Sequence, residues 1–370
     1  MILLHASHFT LHAPAGSTAI NYLTNLARLF FSDRLLRPLI VAYTPTTHCN
    51  LNCVYCEDFG ARRNAEQPAP LALEDALRVL RVIRQATDSL LITGGEPLLY
   101  PHLEALLYHA RHDLKFRNVT LLTNAVLLGE HLDILKLLTR LMISVDAVAP
   151  DMVDATVGAA PGTAGKILDN VVAATARQKA DGFKLVLNCV ATPQTLAGVE
   201  AVLDFCTAHG MLFSLSPQSL NNWPRYDLLV SEAYRTLIAR LIERKRAGAP
   251  ILGSMAYLRM VQEFEPYACY PLLVPRVMSD GGLAYPCRPI EREGMLQGGR
   301  AINLLEVAGW TEAVQRAIEL YGDPPCTCGS CYQQCYIESS LMQTRPWEWA
   351  FEWLRYAPSR EGQLWTYAPG

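Results

Sequence analysis

Between residues 39 and 216 short apolar runs alternate with helical stretches, and this alternation constrains the fold more than any other feature of the 370 residues. The apolar runs cover 39–44, 89–93, 119–123, 141–145, 184–190 and 212–216. Helical periodicity occupies 73–86, 103–112, 130–140, 165–180 and 196–209. Short strands that are apolar on both faces belong to sheets covered on both sides, and repeated strand–helix units make such sheets parallel. Six units fit an α/β fold, a partial (β/α)6 TIM-like barrel. Periodicity alone also allows a doubly wound open sheet.

The flanks add detail. A leading helix is expected over 17–36, and further helices over 234–245 and 255–264. Asp280-Gly281-Gly282 is a hairpin turn signal between two short strands. A last helix over about 336–356 carries Trp347, Trp349 and Trp353 and is expected to pack on the barrel. These elements divide the chain into a helical lead-in (1–38), the partial barrel (39–230) and a small C-terminal Cys-rich hairpin and helix module (231–370). No run of 18 uncharged apolar residues reads as a membrane span. A net charge of −3 gives no electrostatic reason to expect nucleic acid. The expectation is a cytoplasmic protein.

Eleven cysteines then need an account. In a reducing compartment metal binding or catalysis is a better reading than disulfides. Cys189 and Cys206 stand alone in apolar runs and read as core residues. The rest form two sets. The first, Cys49-x3-Cys53-x2-Cys56, lies in a long loop after the first strand, where parallel α/β folds place their sites. Three thiolates can hold three irons of a [4Fe–4S] cube and leave the fourth open to another ligand. The competing reading is a zinc site completed by His48 or a distant residue, within a non-enzymatic binding scaffold.

With an aromatic residue, Tyr55, before its last cysteine, the first set resembles the signature of the radical S-adenosylmethionine (SAM) superfamily. The resemblance covers about 39–216. It extends to Thr93-Gly94-Gly95-Glu96-Pro97 after the second strand, where the family carries a GGE-type motif. There Gly94 and Gly95 allow close backbone approach, and Glu96 is expected to engage the cofactor's amine. The resemblance places Asn124, Ser144 and Asp146, at the third and fourth strand ends, against ribose and carboxylate, although Asn124 and Asp146 also suit helix N-caps. Asn188, on the fifth strand, corresponds to a position near adenine. The implied cofactors are an open-site [4Fe–4S] cluster and S-adenosylmethionine. The implied chemistry is reductive cleavage to a 5′-deoxyadenosyl radical that takes hydrogen from a substrate.

The second set, Cys269-x12-Gly282-x4-Cys287 followed by Cys326-x-Cys328-x2-Cys331-x3-Cys335, resembles the family's SPASM or twitch extension. No cysteine follows Cys335, and six cannot complete two clusters, so one auxiliary [4Fe–4S] cluster is implied. Its expected ligands are Cys269 and Cys287 with two of Cys328, Cys331 and Cys335; Cys326 is the weakest candidate, and a zinc knuckle is the alternative. Fewer than 40 residues precede the first strand, which favours a small-molecule substrate (sugar, nucleoside or lipid) over a ribosomal peptide. Asn222, Arg225 and Tyr226 follow the sixth strand and read as surface-loop residues within reach of substrate. A flavodoxin- or ferredoxin-type electron donor is the implied protein partner. The residues give no catalytic acid or base.

Overall fold

The computed structural model describes residues 16–31, 35–220, 223–293, 299–325 and 331–356, with side chains of the last segment to 352. Helix α1 (Thr18–Phe30) leads into β1 (Val41–Tyr43), and α2 (Leu73–Ala86), β2 (Ser89–Ile92), α3 (Leu103–His112), β3 (Asn118–Thr123) and β4 (Arg140–Ser144) follow. Next come α4 (Pro150–Val157), α5 (Thr163–Asp181), β5 (Lys184–Ala191), α6 (Val199–Ala208) and β6 (Leu212–Pro217). A two-residue hairpin, β7 (Ser219–Leu220) and β8 (Trp223–Pro224), precedes α7 (Tyr226–Leu229), α8 (Glu232–Arg246) and α9 (Met255–Glu263). The C-terminal part holds β9 (Arg276–Val277), β10 (Leu283–Ala284), α10 (Arg288–Glu293), α11 (Trp310–Tyr321), α12 (Gln334–Thr344) and α13 (Pro346–Tyr356).

One eight-stranded sheet runs β10-β9-β1-β2-β3-β4-β5-β6. Strands β1 to β6 are parallel neighbours in sequence order, the partial (β/α)6 barrel expected from the alternation. Strand β9 continues the parallel ladder on β1, and only β10 runs antiparallel. The C-terminal cysteine segment is therefore stitched into the barrel's edge. Its turn falls at Asp280-Gly281-Gly282 as expected, with the positive φ at Gly281.

The two faces of the sheet bury different residues. Val41, Tyr43, Leu90, Ile92, Leu121, Leu141, Ile143, Leu187 and Phe213 face the helices in the main core. Val186 and Leu212 pack with Leu252 and Met142 in a separate small core on the inner, lumenal face. Cys189 and Cys206 are fully buried.

Three helical expectations are corrected and one helix is new; the leading helix, expected over 17–36, ends at Phe30. The 130–140 segment is two 3-10 turns, Leu128–Glu130 and Leu132–Leu137, whose Leu128, Ile134, Leu135 and Leu137 are buried, and β4 begins at Arg140. Helix α4 was not expected, although Pro150 opens its first turn, a favoured place for proline. The last helix is two, α12 and α13, broken at Arg345–Pro346 because proline lacks an N–H and crowds the preceding turn.

Candidate active site

The first cysteine loop crosses the carboxyl rim of the barrel and is clamped from outside. Asn64 brackets the Cys49 peptide: its Oδ1 accepts from the Cys49 N–H (3.0 Å) and its Nδ2 donates to the Cys49 carbonyl (2.8 Å). The N–H groups of Asn52 and Val54 donate to Val157 and Thr156 at the end of α4 (3.0 Å each). The Cys56 N–H closes back on the Cys53 carbonyl (3.1 Å), and the Phe59 N–H donates to Cys56 Sγ (3.4 Å). All three cysteines are half-buried. Burial raises their thiol pKa values, to about 11 at Cys49 and about 12 at Cys53, and a nearby carboxylate adds to it at each: Glu96 at Cys49, Asp146 at Cys53 and Asp58 at Cys56.

The Gly-Gly-Glu turn after β2 presses backbone against this loop. The Gly95 N–H donates to Thr46 O (3.1 Å) and the Glu96 N–H to His48 O (2.7 Å). A Cβ on Gly95 would lie 2.1 Å from the His48 carbonyl oxygen; one on Gly94, at φ +138°, would lie 2.4 Å from Thr46 O. Only glycines permit this approach.

Glu96 is fully buried and engaged. Its Oε1 accepts from the Leu98 N–H (2.9 Å) and Thr123 Oγ1 (2.7 Å), and its Oε2 from the Asn124 N–H (2.8 Å). Burial outweighs these bonds and pushes its pKa up to about 6. Asn124 Oδ1 accepts from the Val126 N–H (3.0 Å) and its Nδ2 donates to Asn50 (2.7 Å), tying β3 to the cysteine loop. Asp146 joins the same rim: Tyr55 Oη donates to its Oδ2 (2.8 Å) and the Val190 N–H to its Oδ1 (2.7 Å). Burial again pushes the carboxyl up to about 6. Ser144 stands in register with Asn188, whose Oδ1 lies 3.1 Å from Ser214 Oγ. Ser214 Oγ is also 2.5 Å from Gln334 Oε1, joining this rim to the start of α12.

Thus Tyr55, Gly94, Gly95, Glu96, Asn124, Ser144, Asp146 and Asn188 all lie along the strand ends from β1 to β5. Thr123, beside Asn124 at the third strand's end, shares the arrangement, and so do Asn50, Asn64, Ser214 and Gln334, which escaped the sequence reading. Asn50, inside the cysteine motif, was the one with a usable signal. Tyr226 is exposed and Arg225 pairs with Asp227 at 2.9 Å; Asn222 lies outside the described residues.

In the second set Cys269, Cys287 and Cys331 are buried and Cys335 is partly so. Cys326 and Cys328 lie outside the described residues. The hydroxyl of the buried Tyr336 is raised first by burial and then by the charges of Cys287, Cys335 and Cys331, with Arg276 opposing. Tyr267 Oη donates to the Cys331 carbonyl (2.6 Å), and Ser340 of α12 accepts from the N–H of Tyr270, next to Cys269 (3.1 Å).

Donor chemistry can be tested on the first set. Among the described residues no three His, Cys, Asp or Glu side chains close on a single metal-ion point. Zinc gathers its thiolates at about 2.3 Å from one centre, whereas a four-iron cube takes each thiolate at a separate iron. Three half-buried thiols carried on one loop are a donor set that a cube can take, one thiolate to each of three irons.

An α/β barrel with a three-thiol loop over its carboxyl rim defines a metallocluster class of barrel protein. Residues 43–206 match the sequence profile described as the Radical SAM superfamily, and this chain carries a radical SAM domain. The cofactors of that family are a [4Fe–4S] cluster and S-adenosylmethionine. Among curated proteins the chain is similar to a "Probable GTP 3',8-cyclase" of Methanococcus aeolicus, 24% identical over 50% of this chain and 60% of that protein. It is also similar to the GTP 3',8-cyclase of Mycolicibacterium smegmatis, 30% identical over 55% of this chain and 59% of that protein. The chain thus spans about half to three-fifths of these relatives. Among solved structures it is similar to Streptococcus suis SuiB bound to precursor peptide SuiA, with 20% identity, a TM-score of 0.56 and coverage of 75% of this chain and 66% of that one. Native anSMEcpe with bound AdoMet gives 16% identity and a TM-score of 0.55 over 85% of this chain and 99% of that one. At these identities the likeness is one of fold. No helix among the described residues is long and apolar enough to cross a membrane.

Proposed function

We propose that this chain is a radical SAM enzyme that abstracts a hydrogen atom from a small-molecule substrate and so oxidises or rearranges it. The observation that carries the reading is the close fit of the Gly94–Gly95 backbone under the loop that bears three half-buried thiols. Cys49, Cys53 and Cys56 hold the open-site cluster, and Cys269, Cys287 and two of Cys328, Cys331 and Cys335 hold the auxiliary one. When bound and reduced, the first cluster supplies the electron that cleaves S-adenosylmethionine. A flavodoxin- or ferredoxin-type protein delivers that electron.

The chain's own residues do the positioning. Gly94 and Gly95 present backbone to the methionine end of the cofactor. Asn124, Ser144, Asp146 and Asn188 line the ribose and adenine side. Glu96, with three donors already on its carboxylate, fixes the second turn to the third strand and thereby the rim itself. Tyr55 anchors the cysteine loop on Asp146. The functional units are the barrel (39–230) and the auxiliary module (231–370), with 1–38 as lead-in.

The test is metal content with product analysis. Anaerobic protein should hold about eight irons with matching sulfide, and after reduction should form 5′-deoxyadenosine. The Cys49→Ala, Cys53→Ala, Cys56→Ala triple variant should lose cleavage and about half the iron. Continued cleavage by that variant would sink the assignment, and about four irons in the wild type would remove the auxiliary cluster. Turnover of a ribosomal peptide in place of a small molecule would correct the substrate class.

A further inference from the structure

Among the described residues the seam between the two cysteine sets is laced by ion pairs, and one arginine side chain beside them takes part in none. Asp58, two residues past Cys56, is gripped by α10: Arg292 Nη1 lies 3.1 Å and Arg288 Nη2 3.2 Å from its Oδ1. Arg292 Nη2 also reaches Glu57 Oε2 (3.1 Å), and Glu291 is held by Arg288 and by Arg300 (2.9 Å). Arg300 also lies 3.8 Å from Asp280, so Glu57, Asp58, Glu291 and Asp280 share Arg292, Arg288 and Arg300. The Arg276 side chain joins none of these pairs.

Its placement follows from strand register. Arg276 opens β9 and pairs with Ala42 of β1. Val41 and Tyr43 face the helices, so Ala42 and its cross-strand partner face the lumen. Among the described residues the Arg276 side chain makes no hydrogen bond or ion pair, and the residue is partly buried. Its charge acts on Asp58 of the first loop and on Cys335 and Tyr336 of the second set. It therefore stands between the two. Arg288 Nε, one residue past Cys287, is a buried donor without a partner. Unanswered donors and an unmatched half-buried cation are costly unless an anion comes to them.

We propose that Arg276, together with Arg288 Nε, receives an anionic group of the substrate, a carboxylate or a phosphate, in the lumen between the two cysteine sets. This rests on the proposed function and narrows its substrate class to oxyanions.

Isothermal titration of the full chain with pyrophosphate, and separately with succinate, tests it on the wild type, Arg276→Gln and Arg276→Lys, before and after cluster reconstitution. At least one anion should bind the wild type. Arg276→Gln should weaken it about ten- to a hundredfold and Arg276→Lys less, with iron content and S-adenosylmethionine affinity unchanged. Binding of pyrophosphate alone assigns a phosphate, and of succinate alone a carboxylate. Equal affinity in wild type and Arg276→Gln, or no anion binding to the wild type, overturns the proposal. So does unchanged anion affinity with a shifted midpoint potential of the auxiliary cluster, since Arg276 would then serve that cluster. A wild type that takes up no iron refutes the enzyme reading instead, and the titrations without clusters still decide the anion site.

Discussion

The two cysteine-bearing regions are built on different physical supports. The first loop rests on a rim set by six parallel strands, held by backbone bonds from Gly95 and Glu96 to Thr46 and His48 and by the side chain of Asn64 on Cys49. The second region has β9 and β10, of two residues each, as its strands, and side chains add to their ladder: Tyr267 on Cys331, Ser340 beside Cys269, and Arg288 and Arg292 reaching back to Asp58. A short strand pair has little stability of its own. The difference gives a direction to dependence. The barrel site can form without the module, whereas the module leans on β1 and on the acids of the first loop.

Gly95→Ala should produce the largest effect. The added methyl would sit 2.1 Å from a carbonyl oxygen that belongs to backbone and cannot swing away. The loop must move, at a cost on the order of 3–5 kcal/mol. The expected outcome is loss of S-adenosylmethionine binding with the C-terminal cysteines still loading iron. Normal cofactor affinity in a soluble Gly95→Ala protein would show that the close approach does not shape the site.

Cys287→Ala probes the dependence from the other side. A ligand lost from a small metal module also loosens its fold, so the variant is informative where it stays soluble and keeps the first cluster. It should still form 5′-deoxyadenosine slowly, in an uncoupled reaction, and yield no modified product. Product at the normal rate would make the second set structural. Complete loss of cleavage would join the two sites more tightly than their supports suggest.

How far the sequence alone discloses this contrast follows from the kind of signal each part leaves. Helices 73–86 and 103–112 and the six strands are legible because burial on fixed faces leaves a period in the residues. The cysteine spacing and Gly-Gly-Glu are legible because their constraint is local. Which side of a helix is buried is a tertiary fact. In α1, Leu23 and Phe30 are exposed at 65% and 83%, while Asn21 and Asn25 are buried and bond the carbonyls of Pro38, Ala86 and Arg37. Tyr55 meeting Asp146, 91 residues away, and Asp58 meeting Arg288, 230 away, have no periodic trace either. The 130–140 segment misleads because its leucines serve two 3-10 turns against neighbouring helices as well as they would one α-helix.

Asp58→Asn weakens the tie between the regions and leaves both cysteine sets intact. Burial by itself would raise the Asp58 carboxyl, yet the guanidinium groups of Arg288, Arg276 and Arg292 hold it below the ordinary carboxylate value. A depressed folded pKa stabilises above the unfolded value near 4 and loses that contribution as pH falls through the folded value. Denaturant unfolding should therefore show Asp58→Asn destabilised by about 1–3 kcal/mol at pH 7, with the gap closing below pH 4. A gap independent of pH would mean that the amide merely packs worse and the ion pairs contribute nothing.

The smallest effect concerns a carboxyl on the module side whose burial acts in the opposite sense. Glu338 of α12 is buried, and its Oε1 accepts from the Ser254 N–H (2.5 Å) just before α9. Around it lie Glu352, which accepts from the Met255 N–H, and Lys245, whose Nζ is 3.6 Å from Glu352. The N-terminus of α9 and Lys245 favour the carboxylate, whereas burial and the like charge of Glu352 oppose it. Burial prevails and pushes Glu338 up to about 7. An acid with a raised folded pKa stabilises most below its unfolded value, near 4.5, and that contribution is lost as pH rises toward 7. One proton limits the slope to about 1.4 kcal/mol per pH unit. Glu338→Gln keeps a carbonyl oxygen for the Ser254 N–H and removes the titration. Thermal melts at pH 5, 6, 7 and 8 should show the variant gaining on the wild type as pH rises, with most of the change between pH 5 and 7. A gap that is flat, or that closes with rising pH, would mean that Lys245 and the α9 terminus outweigh burial, and Glu338 would then be a stabilising carboxylate like Asp58.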